Sequence, residues 1–339
     1  MHKHLRNSIL VLCVVLSAET SAQSMEATEQ INSLLDDALL VSDRYLTPAT
    51  DAAVYLAASN WVTTPQSKKL WDVSVSLHAN VLFVPKSNRR FTVSEDELDF
   101  FDIENGTTAS LPTALGNDDQ IYLTGQITDG QTNNEVRLKS PEGIDAETIT
   151  YPYLQASLGL LYGTELVARY STKVKLKKGR YQVYGAGLKH NLSQYFPKLE
   201  AKKLYLSAFT GFSKEEISFN FLDTETPYGS LGLNEISGFV KTVQFQLNFS
   251  KQWNKFELMS ALIINSSDIT YEVGGPKGEI EAVLPVQYII NKKLEDLYTT
   301  KTNTLGEISG RYQIGKIYIQ SAIAFGKFVN TNLSVQYEF

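Results

Sequence analysis

The stretch Trp71-Asp72-Val73-Ser74-Val75-Ser76-Leu77-His78-Ala79-Asn80-Val81 decides the fold. Its odd positions are apolar and its even ones polar, the two-residue period of a strand with one apolar face. The last ten residues repeat the pattern: Thr331, Leu333, Val335, Tyr337 and Phe339 alternate with Asn330, Asn332, Ser334, Gln336 and Glu338. Val243, Phe245, Leu247 and Phe249 do the same against Thr242, Gln244, Gln246 and Asn248. These runs exceed the usual five or six residues of a globular strand. About ten alternating residues is what a tilted strand needs to cross a bilayer.

Alternation also occurs in soluble sandwiches, where the apolar face turns inward. Here the polar faces carry Gln, Asn, Ser and Thr more than Lys and Glu, which suits a polar lumen. Aromatic residues fall near strand ends (Trp71, Tyr153, Tyr181, Trp253, Tyr337), as an interfacial girdle requires. Strands are expected over 70–84, 150–162, 165–176, 180–191, 203–221, 238–251, 253–265, 302–314, 316–326 and 330–339. Two weaker hairpins, 120–128 with 134–139 and 268–274 with 279–288, bring the total to twelve or fourteen. The expected fold is therefore all-β: a transmembrane antiparallel β-barrel of 12–14 strands with a short N-terminal helical hatch. Strand parity puts both barrel ends on one side and the long loops, 85–119, 222–237 and 266–301, on the other. It also places the turns at Lys178-Gly179 and Gly326-Lys327 with those loops.

Bulk numbers hide this. The chain has 339 residues, 43% hydrophobic and 20% charged, with mean hydropathy −0.17. Averaging a lipid-facing residue with a lumen-facing one cancels in composition and survives only in periodicity. A net charge of −6 argues against a nucleic-acid surface, and 16 Phe with 18 Tyr exclude disorder.

Residues 1–22 read as a signal peptide, with basic Lys3 and Arg6, an apolar Ile9 to Ser17, and small residues Thr20-Ser21-Ala22. The only cysteine, Cys13, lies within it, so no disulfide or thiolate site is expected afterwards. Only His78 and His190 lie beyond the signal, so no metal site is expected either. Residues 23–66 form the hatch segment and 67–339 the barrel. Within 24–62, Ile31, Leu34, Leu35, Ala38, Val41 and Tyr45 mark one apolar helical face. Thr47-Pro48 reads as an N-cap with proline at the first helical position, dividing the segment into two helices.

Together these features resemble the long-chain fatty-acid transporter (FadL-like) type of Gram-negative outer-membrane barrel. More closely, the chain resembles an uncharacterised Bacteroidota family of outer-membrane barrels. The closer resemblance rests on Tyr45-Leu46-Thr47-Pro48, on Ala52 to Trp61, and on Val75 to Pro85. It implies a bacterial outer-membrane location, a monomer among outer-membrane lipids, and passive uptake of a hydrophobic or amphipathic small molecule past a hatch. It also implies that the terminal aromatics, Tyr337 and Phe339, are read by the barrel assembly machinery. A plugged barrel that scaffolds or binds a partner is the alternative.

Candidate lumen and ligand residues are His78 and Asn80 on the first strand, and Tyr45, Tyr55 and Trp61 from the hatch. Gly185 and Gly187 share one strand face, where a kink could open a lateral exit. Enzymatic chemistry is not expected. His190 and Ser193 lie three apart and so face opposite sides of a strand. The acidic run Glu95-Asp96-Glu97-Leu98-Asp99-Phe100-Phe101-Asp102-Ile103-Glu104 reads as a solvated loop. No cofactor is implied.

Overall fold

The computed structural model describes residues 22–128, 133–175, 179–220, 225–226, 229–230, 235–277 and 285–339. The signal-peptide reading of residues 1–22 falls almost wholly outside them.

Ten strands close one antiparallel barrel. In chain order they are β1 (Val73–Phe83), β2 (Thr148–Gly159), β3 (Thr164–Tyr170), β4 (Gly179–Asn191) and β5 (Leu204–Asn220). Then follow β6 (Glu235–Trp253), β7 (Phe256–Gly274), β8 (Thr299–Ile314), β9 (Ile317–Phe325) and β10 (Val329–Glu338). The ring shuts where β1 meets β10, with Ser74 opposite Glu338 and His78 opposite Ser334.

All ten primary expectations have a counterpart, but the count of 12–14 is corrected to ten. The hairpin Tyr122–Thr128 with Asn133–Lys139 does form. It pairs with Asp102–Ile103 outside the barrel rather than entering the wall. Residues 268–274 prolong β7. Of their expected partner, 279–284 lie outside the described residues, and Val286–Leu294 is helical.

Outward side chains are apolar between two rims, and inward ones are buried. From Phe256 to Asp268 the outer face spans about twelve residues, or roughly 30 Å of height after strand tilt, which matches a hydrocarbon core. No described helix is long and apolar enough to cross a membrane. Trp71, Trp253 and Tyr337 are exposed at the rim where both barrel ends lie, as expected of a girdle. Tyr153 and Tyr181 are not in it. Both are buried in the lumen, because their parity on β2 and β4 points them inward.

Short connections, such as Asn254-Lys255 and Gly315-Lys316, gather at this end of the barrel. The long one, between Phe83 and Thr148, sits at the other. It folds as a cap of small sheets, Arg90–Ser94 with Thr108–Pro112 and Asp102–Ile103 with the 122–139 hairpin.

Candidate functional site

The lumen holds a helix. Ala22–Ala58 is one continuous helix with Pro48 inside it, which corrects the expectation of two helices divided at Thr47-Pro48. An interior proline costs about 3 kcal/mol through its lost N–H. Burial on both sides of it offsets that cost, since Tyr45, Leu46, Ala49, Ala52 and Ala53 are all buried. Thr47 is no cap; its hydroxyl donates to Asp43 Oδ1 (3.1 Å).

The helix does two jobs along its length. Its earlier part braces the cap. The Asp37 carboxylate accepts the backbone N–H groups of Asp99, Phe100 and Phe101 (2.8–2.9 Å). Arg44 makes a bidentate pair with Glu97 (2.5 and 3.0 Å). That pairing holds the Glu97 carboxyl down at about 2. Val41 packs with Val93, Leu98, Phe101 and Leu111 of the cap. Thus part of the acidic run is the cap's attachment to the helix.

The later part lies inside the barrel. Alanines at 49, 52, 53, 57 and 58 keep its cylinder narrow, so that it fits a ten-stranded ring. Tyr45, Leu46, Val54 and Leu56 pack against Phe219, Val240, Ile263, Tyr271 and Leu305 of the wall. Asp51 receives the ammonium groups of Lys301 (2.6 Å) and Lys327 (2.5 Å) near the cap side.

At the helix's end one peptide group is held from both sides. Arg169 Nη2 donates to the Ser59 carbonyl (2.8 Å), and the Asn60 N–H donates to Glu307 Oε2 (2.7 Å). Asn60 sits at φ +61°, the left-handed conformation that asparagine tolerates at a helix C-terminus. Its amide also donates to Asn330 Oδ1 (3.4 Å). The Arg169 guanidinium carbon lies over both the Trp61 and Tyr153 rings, 4.2 and 4.4 Å from their centroids.

Beyond the helix, residues 61–69 cross the short-turn mouth of the lumen. Lys189 Nζ donates to the carbonyls of Thr64 (2.8 Å) and Gln66 (2.9 Å) and pairs with Glu165 (2.5 Å). Asn191 holds the Pro65 carbonyl (2.8 Å). Lys68 donates to Ser74 Oγ and Ser157 Oγ, and its burial pulls its ammonium below the ordinary lysine range despite Glu165. A cavity of about 130 Å³ remains at this mouth, bordered by Lys68, Gln252, Glu257, Arg311, Tyr318 and Glu338.

Charged side chains share the lumen with the Gln, Asn, Ser and Thr expected there. Arg169, Glu215, Glu307, Lys189, Glu165, Glu257 and Arg311 are all buried in it. On a strand, a charge facing a filled lumen has the same local pattern as one facing water.

The expected lumen residues do converge on this helix and wall. His78 stacks on Tyr153 (4.6 Å, 10°), with Nε2 on Ser76 Oγ (2.8 Å) and Nδ1 on Asn332 Oδ1 (3.0 Å). Asn80 donates to the Tyr151 hydroxyl (2.8 Å). Tyr45 donates to the Glu142 carbonyl of the cap (2.9 Å). Tyr55 donates to Asn303 Oδ1 (3.3 Å) and leans on Phe328. Trp61 donates to the Ala57 carbonyl (2.6 Å) and packs on Phe209 (5.4 Å).

Gly185 and Gly187 face inward, and their strand pairs continuously with both neighbours through them. A Cβ on Gly187 would come within 2.4 Å of Phe209 Cζ, so this glycine makes room for the ring under Trp61. His190 turns to Thr164 Oγ1 and the Tyr195 hydroxyl (3.0 Å each), while Ser193 Oγ binds the Leu206 backbone. Arg169 and Glu307, the residues that grip the helix end, were not singled out from sequence. An inward charge on an alternating strand was the only signal for them.

The match to a known family spans residues 1–339. The chain belongs to the family of unknown function DUF6588. No curated protein sequence matches it. Among solved structures it is similar to Ail, the attachment invasion locus protein of Yersinia pestis. That likeness has 8% identity over 80% of this chain and 100% of that one, with a TM-score of 0.28. The translocator domain of the autotransporter NalP from Neisseria meningitidis matches at 8% identity, covering 85% and 92%, with a TM-score of 0.30. The outer membrane protease OmpT from Escherichia coli matches at 11%, covering 79% and 95%, with a TM-score of 0.29.

Proposed function

We propose that this protein is a closed barrel of the bacterial outer membrane that presents its helix-braced cap on the outer side. The short-turn end faces the periplasm and the cap faces out, as barrel connections are ordinarily arranged. One observation carries the reading: the helix fills the lumen and is bonded to the wall from Asp51 to Asn60. A helix tied to two lysines through its buried Asp51 and held by a clamped peptide, with residues 61–69 stitched across the mouth, obstructs the lumen. The cap shares its core with that same helix, so barrel, helix and cap act as one rigid platform for a partner. The protein does this as a monomer without covalent chemistry. Residues 1–22 direct export, and Tyr337 and Phe339 at the exposed terminal strand engage the assembly machinery.

The second reading is FadL-like passive uptake of a hydrophobic or amphipathic small molecule, with the helix as a movable hatch. The apolar cap-side lumen, where Phe219, Val240, Ile263 and Leu305 surround the helix, favours it. Conductance in planar bilayers and uptake of labelled fatty acid or alkane by cells with and without the protein separate the two. The platform reading expects a silent bilayer and equal uptake. Uptake that falls in cells lacking the protein overturns it in favour of the hatch.

A further inference from the structure

The lipid-facing wall changes character along one row of side chains near its cap-side rim. Following the ladders from β3 to β8, the row reads Tyr170, Tyr184, Lys214, Lys241, Asp268 and Thr300. Tyr170 and Tyr184 are 51% and 43% exposed, the placement of aromatics at the level of lipid headgroups. Directly below the lysines, Phe212 and Val243 belong to the apolar belt.

Lys214 and Lys241 stand directly opposite one another on the outer face of the β5–β6 ladder. Like charges in that position destabilise a sheet unless something neutralises them. Lys214 lies over the Phe239 ring (4.9 Å), and neither lysine has an ion pair among the described residues. Asp268, opposite Lys241 on the next strand, accepts a hydrogen bond from Thr300 (2.7 Å). Nearby, Lys173 is taken by Glu216 and Arg180 by Glu235. The sequence from Lys173 to Arg180 holds five basic residues in a chain of net charge −6.

We propose that Lys214 and Lys241 dock the phosphate group of an anionic lipid in the leaflet at the cap end. Two lysines opposed on one ladder can offer their ammonium groups to a single phosphate. The belt below takes the acyl chains and the tyrosines take the interface, so the site is built for a lipid rather than a free anion.

Native mass spectrometry of the full protein in detergent tests this, with lipid A, phosphatidylcholine and inorganic phosphate as probes. Both lysines point outward, so Lys214→Gln with Lys241→Gln leaves the fold intact, as heat-modifiable gel migration verifies. Wild type is expected to retain lipid A over phosphatidylcholine, and the double variant to lose about thirtyfold of that retention, the scale of two lysines at an anionic lipid surface. Inorganic phosphate at millimolar concentration is expected not to displace the lipid. A control pair at the other end, Lys198→Gln with Lys202→Gln, is expected to behave as wild type. Equal lipid A retention in wild type and double variant, displacement by inorganic phosphate, or the same loss in the control pair each overturns the site.

Discussion

Arg169 on β3 and Glu307 on β8 hold opposite ends of a single peptide group, the one joining Ser59 to Asn60 (2.8 and 2.7 Å). The cation sits where the helix presents its unsatisfied carbonyls and negative end, and the carboxylate takes the N–H that turns out of the helix. Neither contact comes from the helix sequence itself. Both are supplied by the wall.

Removing either partner strands half of a buried peptide. Arg169→Met and Glu307→Leu are each expected to cost about 1–3 kcal/mol of stability in detergent unfolding, the usual loss for an unpaired buried polar group. Glu307→Gln keeps an acceptor for the Asn60 N–H and should cost less than Glu307→Leu. Equal losses for Gln and Leu would sink the clamp. The two truncations together should lose less than their sum, since both act on one peptide.

Gly187→Ala tests the packing beneath Trp61. Its Cβ would meet Phe209 Cζ at 2.4 Å and the Thr210 carbonyl at 2.5 Å, forcing the ring from its place. The expected cost is about 1–3 kcal/mol, typical of overpacking, with a changed tryptophan emission spectrum. Gly274→Ala, where nothing lies within 4 Å, serves as the neutral comparison.

The Arg44–Glu97 pair should tie the cap to the helix in a pH-dependent way. Glu97 is depressed to about 2 by the hydrogen bonds from Arg44 first, then by the Ser94 backbone. A carboxyl depressed on folding stabilises the native state above its unfolded value, near 4.3, and loses that contribution as pH falls toward the folded value. The stability gap between wild type and Glu97→Gln should therefore be constant from pH 7 to about pH 5 and close between about pH 4 and pH 2. Protease nicking within 84–147 is the readout. A gap that stays unchanged down to pH 2 removes the pair from the cap's attachment.

Phe339→Ser separates a terminal insertion signal from ordinary packing. Phe339 is exposed, and its backbone N–H to the Val73 carbonyl (3.0 Å) survives the substitution. Stability of the refolded protein should change by less than about 0.5 kcal/mol. The amount inserted in cells should nonetheless fall. Unchanged insertion would show that Tyr337 and Phe339 only pack against one another.

The ten wall strands were readable because alternation is local: each strand's lipid face and lumen face are written in neighbouring residues. The hairpin at 122–139 carries the same local pattern, and nothing nearby says that it joins the cap instead of the wall. That depends on where the ring closes, and the closing pair, Ser74 with Glu338, is separated by nearly the whole chain. The lumen partners of Tyr45, Tyr55 and Trp61 were invisible for the same reason.

By itself, then, the sequence determined the strands, the aromatic short-turn rim and the presence of a helical segment before them, since periods of 2 and 3.6 need only adjacent residues. Tertiary structure alone decided that the barrel stops at ten strands, that one helix runs unbroken through Pro48, and that Arg169 and Glu307 meet across the lumen. Closure and filling are long-range conditions. A ring of ten leaves room for one narrow helix, and that helix in turn gives buried charges on distant strands a common partner.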